Sequence, residues 1–232
     1  MAIAFGAARY RQLSQKRLID RNGREMPGYL DESPERPRRA VVVVHDFYGL
    51  TEPMKELTRR LAGEGFVAFA PDLYRGRVAS SRDEAAKLAQ TLAWNRVAIE
   101  LGLAVQALKD KTEGGPVSIW GFAMGGAAAL VAAAAVDKLD AAITFYGIPQ
   151  DVALTNPYVK IQGHFAARDQ KCTPDRVDVL DRSLKRRGGV HEFHIYEADH
   201  GFLNPNRPEV QSASEAQLAW NRSLDFLKSV LP

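Results

Sequence analysis

Apolar residues along this chain cluster in short continuous runs, and these runs alternate with longer segments in which apolar residues recur every three or four positions. Residues 40–44 (AVVVV) form a run without polar alternation, as expected for a strand that is covered on both faces. Less uniform runs of similar length predict further strands at 66–70, 116–120, 141–145, 159–164 and 192–196.

Segments with helical periodicity separate these strands. Thr51 is expected to begin a helix that ends near residue 62, because its hydroxyl can accept hydrogen bonds from first-turn amides. Ser80 or Ser81 is expected to cap a helix at the start of a long amphipathic segment, residues 82–108. Further helices are predicted near 127–133, 175–186 and 212–228. This alternation predicts an α/β fold with a doubly wound, mainly parallel sheet flanked by helices.

The segment before the first buried run has a different pattern. Arg21-Asn22-Gly23 is a turn signal, and it predicts that residues 16–29 form two antiparallel edge strands. Residues 31–39 are rich in charged residues and proline, so they are interpreted as a surface loop.

Composition narrows the class of protein. The chain has 232 residues, of which 46% are hydrophobic and 25% charged, and we expect one domain over residues 1–232. It has neither an apolar stretch of membrane-spanning length nor a start resembling a secretory signal, so the expected location is cytoplasmic. The single cysteine, Cys172, fits a reducing compartment. The net charge is +3, and the basic runs at 36–39 and 185–187 are interpreted as solvated, so no nucleic-acid or membrane partner is expected.

The most informative motif is Gly121-Phe122-Ala123-Met124-Gly125-Gly126, which lies between a predicted strand and a helix of small residues. In the nucleophile elbow, G-x-S-x-G, a sharp turn at this junction exposes the central side chain above the sheet. Ala123 occupies the central position and has neither hydroxyl nor thiol. The sequence around position 123 is therefore that of a nucleophile elbow, but the hydroxyl or thiol that would attack a substrate is missing.

Two more residues follow predicted strands, where the active sites of open α/β sheets lie. Asp169 comes after the strand at 159–164, and His200 comes after the strand at 192–196. Alone, Asp169 is compatible with a turn residue and His200 with a surface-loop histidine. Their order after position 123 is nucleophile, acid, histidine, as in α/β hydrolases, in which the imidazole accepts the proton of the nucleophile and the carboxylate orients the imidazole. The ordered combination favours the catalytic interpretation.

At this point the chain resembles the dienelactone hydrolase family of the α/β-hydrolase fold, from about residue 41 to residue 231. The motifs that carry the resemblance are His45-Asp46-Phe47-Tyr48-Gly49, Pro71-Asp72-Leu73-Tyr74, the elbow, Asp169 with Thr173-Pro174, His200-Gly201-Phe202, and Ala219-Trp220-Asn221-Arg222.

The resemblance implies hydrolysis of a carboxylic ester or lactone through a cysteine or serine at position 123, with no cofactor. It implies an oxyanion hole formed by the backbone amides of Phe47 and Met124. It also places Asp46 where relatives have a glutamate that interacts with the nucleophile, and Arg82 where relatives bind a substrate carboxylate. Ala86 and Asn204 replace a tyrosine and an arginine expected in enzymes that act on dienelactone, which argues against that substrate.

Other candidates have structural interpretations. Cys172 has no base nearby in the sequence, so it is interpreted as a passive thiol. His191 and His194 lie in a predicted strand, where they would face opposite sides, so no metal site is expected. His45 either contacts substrate or stabilises the strand end, and Arg82 either binds an anion or is a solvated residue at a helix start.

Two hypotheses of function remain open. The first is an esterase or lactonase in which Ala123 is an engineered replacement of the nucleophile. The second is a natural non-catalytic protein that binds a small acid, a lactone or a partner. Under the first, the expected partner is a small-molecule ester or lactone, and the chain is expected to be a monomer or a weak homo-oligomer.

Overall fold

The computed structural model describes residues 16–35, 37–150, 156–204 and 207–231. The N-terminal segment, which was compared above with a secretory signal, lies outside these ranges. Residue 36, which begins the basic run at 36–39, lies outside them as well. No helix in the described part of the chain combines the length and apolar character needed to cross a bilayer.

A single eight-stranded sheet runs through the described residues, in the order β1-β2-β4-β3-β5-β6-β7-β8. Strands β3 to β8 pair in parallel, whereas β2 pairs antiparallel with both β1 and β4. The predicted doubly wound, mainly parallel sheet is confirmed. The strands are β1 (Lys16–Ile19), β2 (Glu25–Glu32), β3 (Ala40–Val44), β4 (Val67–Pro71), β5 (Val117–Phe122), β6 (Ala141–Phe145), β7 (Lys160–Ala166) and β8 (His191–Tyr196).

Helices cover both faces of this sheet. They are α1 (Glu52–Gly63), α2 (Arg82–Gln90), α3 (Trp94–Lys111), α4 (Met124–Ala135), α5 (Pro174–Arg186) and α6 (Ala213–Val230). Helices α3, α4 and α5 contribute to one core cluster, whereas α1 and α6 contribute to the other. Within β3, Val42 and Val44 belong to the first cluster, and Val41 and Val43 to the second. Burial on both faces explains why β3 is apolar without alternation.

The N-terminal segment differs from its prediction in two respects. Strand β2 extends to Glu32, so the expected loop at 31–39 begins too early, and Asp31 is buried opposite Ala68 of β4. Moreover, β2 is not an edge strand, because its second side pairs with β4. The charged residues of this segment are typical of a loop, and the pairing of β2 with β4 depends on a strand far along the chain.

Two helix predictions are also corrected. The amphipathic segment 82–108 is broken between α2 and α3, where the amide and hydroxyl of Thr91 both donate to the Leu88 carbonyl. Ser81 caps α2 by accepting from the Glu84 amide, as predicted. Thr51 precedes α1, but its hydroxyl makes no capping bond, and the Met54 and Lys55 amides donate to its carbonyl instead.

Candidate active site

A pocket of about 690 Å³ opens at the carboxyl ends of the parallel strands. Six of the seven predicted site residues line it, namely Asp46, Phe47, Arg82, Ala123, Met124 and His200. The seventh, Asp169, lies directly behind His200. The fold thus brings together residues from five separate segments, because the loops that follow parallel strands meet at one edge of the sheet.

The backbone at Ala123 has the conformation of a nucleophile elbow. Its φ of 49° and ψ of −108° are unfavourable for a residue with a Cβ, and the turn connects β5 directly to α4. The Ala123 amide donates to the Phe145 carbonyl at 2.9 Å, which anchors the turn to β6. A Cβ on Gly125 would lie 2.3 Å from the Val44 carbonyl oxygen, so glycine permits α4 to start against β3. The elbow therefore retains its strained geometry without a nucleophile.

The loop after β3, which carries Phe47, is held by hydrogen bonds to the loop after β4. The Tyr74 hydroxyl donates to the Phe47 carbonyl at 3.2 Å and lies 3.4 Å from the sulfur of Met124. The Tyr48 carbonyl accepts from the Ala79 amide at 2.9 Å. These contacts fix the peptide groups around Phe47 at the wall of the pocket.

His45 supports the same loop from within the core. Its Nδ1 lies 2.6 Å from the Asp46 carbonyl oxygen, to which it donates, and its Nε2 accepts from the Leu73 amide at 3.3 Å. Burial lowers the pKa of His45, which favours the neutral ring that this pair of bonds requires. Because the side chain is completely buried, the geometry supports the structural interpretation of His45 rather than contact with substrate.

Asp169 and His200 form a hydrogen-bonded pair, in which His200 Nδ1 lies 2.7 Å from Asp169 Oδ2. The other carboxylate oxygen accepts from the amides of Lys171 and Cys172 at 2.7 and 2.9 Å. Burial opposes ionisation of Asp169, but the bonds from His200 and from these amides outweigh it and lower its pKa. Because an ionised carboxylate only accepts, the His200 proton lies on Nδ1, and Nε2 remains free to accept a proton.

Asp46 lines the pocket, but both of its carboxylate oxygens are engaged elsewhere. Oδ1 accepts from the Tyr48 amide at 2.9 Å, and Oδ2 accepts from the Asn204 side-chain amide at 2.6 Å. Burial raises the pKa of Asp46, and its two hydrogen bonds act in the opposite direction. The pair with Asn204 connects the Phe47 loop to the loop that carries His200, which gives Asp46 a structural contact not foreseen from the sequence.

The pocket is rich in cationic side chains. Arg82 is the first residue of α2 and lines the rim. Lys171 lies over the Phe47 ring, with its ammonium nitrogen 5.7 Å from the ring centroid. The other cations that line the pocket have partners in the protein. Arg168 pairs with Asp199, Arg207 pairs with Glu209, and the guanidinium of Arg176 donates to the carbonyls of Lys171 and Ile148. Arg82 and Lys171 are therefore the cations best placed to meet an anionic group in the pocket.

The competing sequence candidates take structural positions. The Cys172 thiol donates to the Tyr146 carbonyl at 3.2 Å, and burial raises its pKa to about 11, which favours the unreactive protonated form. His191 bonds Asp181 of α5, whereas His194 stacks on His164 across the other face of β8, as the strand pattern predicted. Within the described ranges, no group of three or more histidine, cysteine or carboxylate side chains is arranged to hold a metal.

Two tyrosines, Tyr74 and Tyr146, were not predicted as site residues from the sequence. Tyr74 supports the Phe47 carbonyl, and Tyr146 lines the pocket beside His200. Each comes shortly after a strand, Tyr74 after β4 and Tyr146 after β6. The rule that selected Asp169 and His200 by their position after strands would have selected these tyrosines as well.

Comparison with known proteins agrees with the geometry. The sequence profile described as the dienelactone hydrolase family matches residues 26–231. "Protein usf" of Aquifex pyrophilus is 33% identical over 225 residues, spanning 92% of this chain and 97% of the relative. A protein of Aquifex aeolicus (strain VF5), provisionally named a carboxymethylenebutenolidase, is 32% identical over the same coverage of both chains.

Solved structures show the same architecture. A protein of Klebsiella pneumoniae, provisionally assigned as a dienelactone hydrolase, superposes with a TM-score of 0.79 at 26% identity, covering 91% of this chain and 96% of that one. A dienelactone hydrolase-like promiscuous phosphotriesterase from metagenomic libraries gives a TM-score of 0.83 at 21% identity, covering 94% and 99%. The chain has the α/β-hydrolase fold. Within that class, it belongs to the dienelactone hydrolase family.

Proposed function

We propose that this pocket is an acyl-transfer site for a carboxylic ester or lactone, complete except for the nucleophile at position 123. The observation that carries the proposal is the 2.7 Å bond between His200 and Asp169, held in the same pocket as an elbow turn in its strained conformation. This pair has the charge and tautomer that a general base requires. The alanine at the elbow means that the chain, as it stands, binds such a compound without forming an acyl-enzyme.

The chemistry follows from the placement of each group. With serine or cysteine at 123, the oxygen or sulfur would bond to the substrate carbonyl carbon while its proton passes to His200 Nε2. The carbonyl oxygen would gain negative charge and accept hydrogen bonds from the Phe47 and Met124 amides. His200 would then protonate the departing alkoxide, and water would release the acid by the same steps in reverse order. The methyl group of Ala123 has neither a lone pair nor an acidic proton with which to begin.

Two observations support an ester or lactone as the ligand. The relatives that share the family include proteins provisionally named carboxymethylenebutenolidase, whose name denotes a lactone substrate. The pocket also has Arg82 at its rim, and a guanidinium donates two parallel hydrogen bonds to a carboxylate. We therefore propose a small ester or lactone, with a preference for one that carries a carboxylate.

The test is to restore a nucleophile. Ala123→Ser and Ala123→Cys are assayed with aryl esters and lactones, with and without a carboxylate. Loss of a nucleophile costs on the order of 10⁶ in turnover, so one of the two variants should gain a large part of that factor. Adding His200→Ala should remove the gain, because the nucleophile then has no base.

A matched control is Ala127→Ser, which adds a hydroxyl to the same pocket one helical turn after the elbow. It should give no activity. Folded Ala123→Ser and Ala123→Cys variants that both remain inactive would contradict the proposal. If both variants are inactive but the parent chain binds the same compounds, the result favours the second candidate, a natural binding protein. The specific observation behind that candidate is Ala123 itself. The codon for residue 123 in the source gene distinguishes an engineered alanine from a natural one.

A further inference from the structure

The peptide group between Asp46 and Phe47 is held by its carbonyl end. Its oxygen lies 2.6 Å from Nδ1 of His45, which donates to it, and it also accepts from the Gly49 amide at 3.3 Å. Among the described residues, no acceptor takes the Phe47 N–H. Because the C=O and the N–H of a trans peptide lie in one plane and point in opposite directions, the bonds to the carbonyl also fix the direction of this N–H.

The two ends of this peptide have different surroundings. The Asp46 carbonyl points to the ring of His45, which is completely buried and does not line the pocket. The N–H therefore points away from this core ring. It belongs to Phe47, which lines the pocket and is only partly buried. The donor that the proposed mechanism needs is thus oriented by a side chain on the opposite, buried side of the loop.

The His45 ring is itself held in place at its second nitrogen. Its Nε2 accepts from the Leu73 amide at 3.3 Å, and its centroid lies 5.0 Å from that of the Tyr74 ring. Since a carbonyl only accepts and an amide only donates, both bonds require a neutral ring with its proton on Nδ1. Burial lowers the pKa of His45 and keeps the ring neutral. The ring therefore connects the loop after β4 to the peptide at 46–47.

We propose that His45 is a positioning residue for acyl transfer, whose Nδ1–H orients the 46–47 peptide so that the Phe47 amide can donate to the substrate carbonyl oxygen. The inference rests on the proposed function, since it explains how an oxyanion donor of that same site is oriented. His45 does not touch the substrate. Its effect should appear in kcat more than in KM, because this hydrogen bond strengthens as the oxygen gains negative charge.

Two substitutions separate the two nitrogens of the ring. In His45→Asn, the side-chain nitrogen is as many bonds from the backbone as Nδ1, so it can still donate to the Asp46 carbonyl, but it does not reach Leu73. In His45→Gln, the side-chain oxygen is as many bonds from the backbone as Nε2, so it can still accept from the Leu73 amide, but the donor at the Nδ1 position is lost. Each variant is thus the matched control of the other.

In the Ala123→Ser background, kcat and KM for phenyl acetate are measured together with the melting temperature. His45→Gln should lower kcat about 10- to 100-fold and leave KM within about threefold, because loss or displacement of one oxyanion donor costs up to about 10²- to 10³-fold. His45→Asn should keep kcat within about threefold of the background. Both should lower the melting temperature, because each leaves one buried partner of the ring unpaired.

A second measurement does not depend on activity. The parent chain has no nucleophile at position 123, so phenyl acetate can be added while the Phe47 amide is followed by ¹H–¹⁵N NMR. We expect a downfield shift of the Phe47 amide proton in the parent chain and in His45→Asn, and a smaller shift or none in His45→Gln. The ring ¹⁵N shifts of His45 in the parent chain give its tautomer without any substitution, so the proposal stays testable if a variant does not fold.

Three results would overturn the inference. They are equal kcat values in the two variants, a His45 ring protonated on Nε2, and a Phe47 amide that does not respond to the ester in the parent chain. Inactive Ala123→Ser and Ala123→Cys variants, together with a Phe47 response that only His45→Gln removes, would reject the proposed hydrolysis but keep this role. Inactive nucleophile variants without any Phe47 response would reject both proposals.

Discussion

The elbow and the acid–histidine pair both belong to one pocket, which Ala123 and His200 line, and they differ in what each retains. At the elbow, the backbone has the geometry of a nucleophile turn, but the side chain of Ala123 has no reactive group. At the pair, the reactive side chains are present, and Asp169 is held by two backbone amides as well as by His200. The elbow therefore has the backbone geometry without a reactive side chain, whereas the pair has both an ordered geometry and reactive side chains.

This difference shows that the two regions are stabilised by different forces. The elbow depends on close backbone packing, in which Gly125 approaches β3 and the Ala123 amide bonds β6. Such packing does not require a particular side chain at position 123. The pair depends on side-chain hydrogen bonds that satisfy a buried carboxylate, so loss of either partner leaves a polar group unpaired. The elbow thus tolerates alanine at its centre more readily than the pair tolerates a substitution.

The largest expected effect concerns the pair. In an active Ala123→Ser background, Asp169→Asn should lower kcat by about 10⁴-fold, because the asparagine amide group facing His200 would favour the tautomer with its proton on Nε2. Steady-state kinetics on an aryl ester measures the loss. The control is Asp181→Asn, which alters a second aspartate–histidine pair, Asp181 with His191 at 2.9 Å, outside the pocket. Equal losses in both variants would contradict a catalytic role for Asp169.

The next effect concerns the packing of the elbow. Gly125→Ala should destabilise the fold by about 3 kcal/mol or more, because its Cβ would meet backbone atoms of Val44 and His45 that cannot move independently of β3. Denaturant unfolding measures this free energy. Gly102→Ala in α3 is the matched control, since its Cβ would lie 3.7 Å from Val136, and helix propensity favours alanine there. Similar stability changes in the two variants would show that the elbow is not tightly packed.

The smallest effect tests the strain at the elbow centre. Ala123→Gly should raise the free energy of unfolding by about 1 kcal/mol, because glycine adopts a φ of 49° without a steric penalty. Thermal or denaturant unfolding detects the change. Ala98→Gly, within the regular helix α3, should lower stability by about 1 kcal/mol, since glycine there costs only backbone entropy. Loss of stability in Ala123→Gly would mean that contacts of the alanine methyl group outweigh the strain.

Particular elements show how far the sequence could predict this architecture. The all-apolar run of β3 and the glycines around Ala123 have local signatures, and both were predicted at their observed positions. The length of β2 was not, because Asp31 is charged and its burial depends on pairing with β4. The same limit applies to Asp46, which has its partner in Asn204, 158 residues further along the chain.

The sequence by itself determined the alternation of strands and helices, the elbow turn and the order of position 123, Asp169 and His200, because periodicity, glycine placement and chain order are local or linear properties. The tertiary structure alone decided which of these groups meet. In the folded chain, His200 is hydrogen-bonded to Asp169, and the Tyr74 hydroxyl donates to the Phe47 carbonyl. The Tyr146 hydroxyl is buried without a partner among the described residues. Such contacts join segments distant in sequence, and their geometry depends on how the helices pack on the sheet.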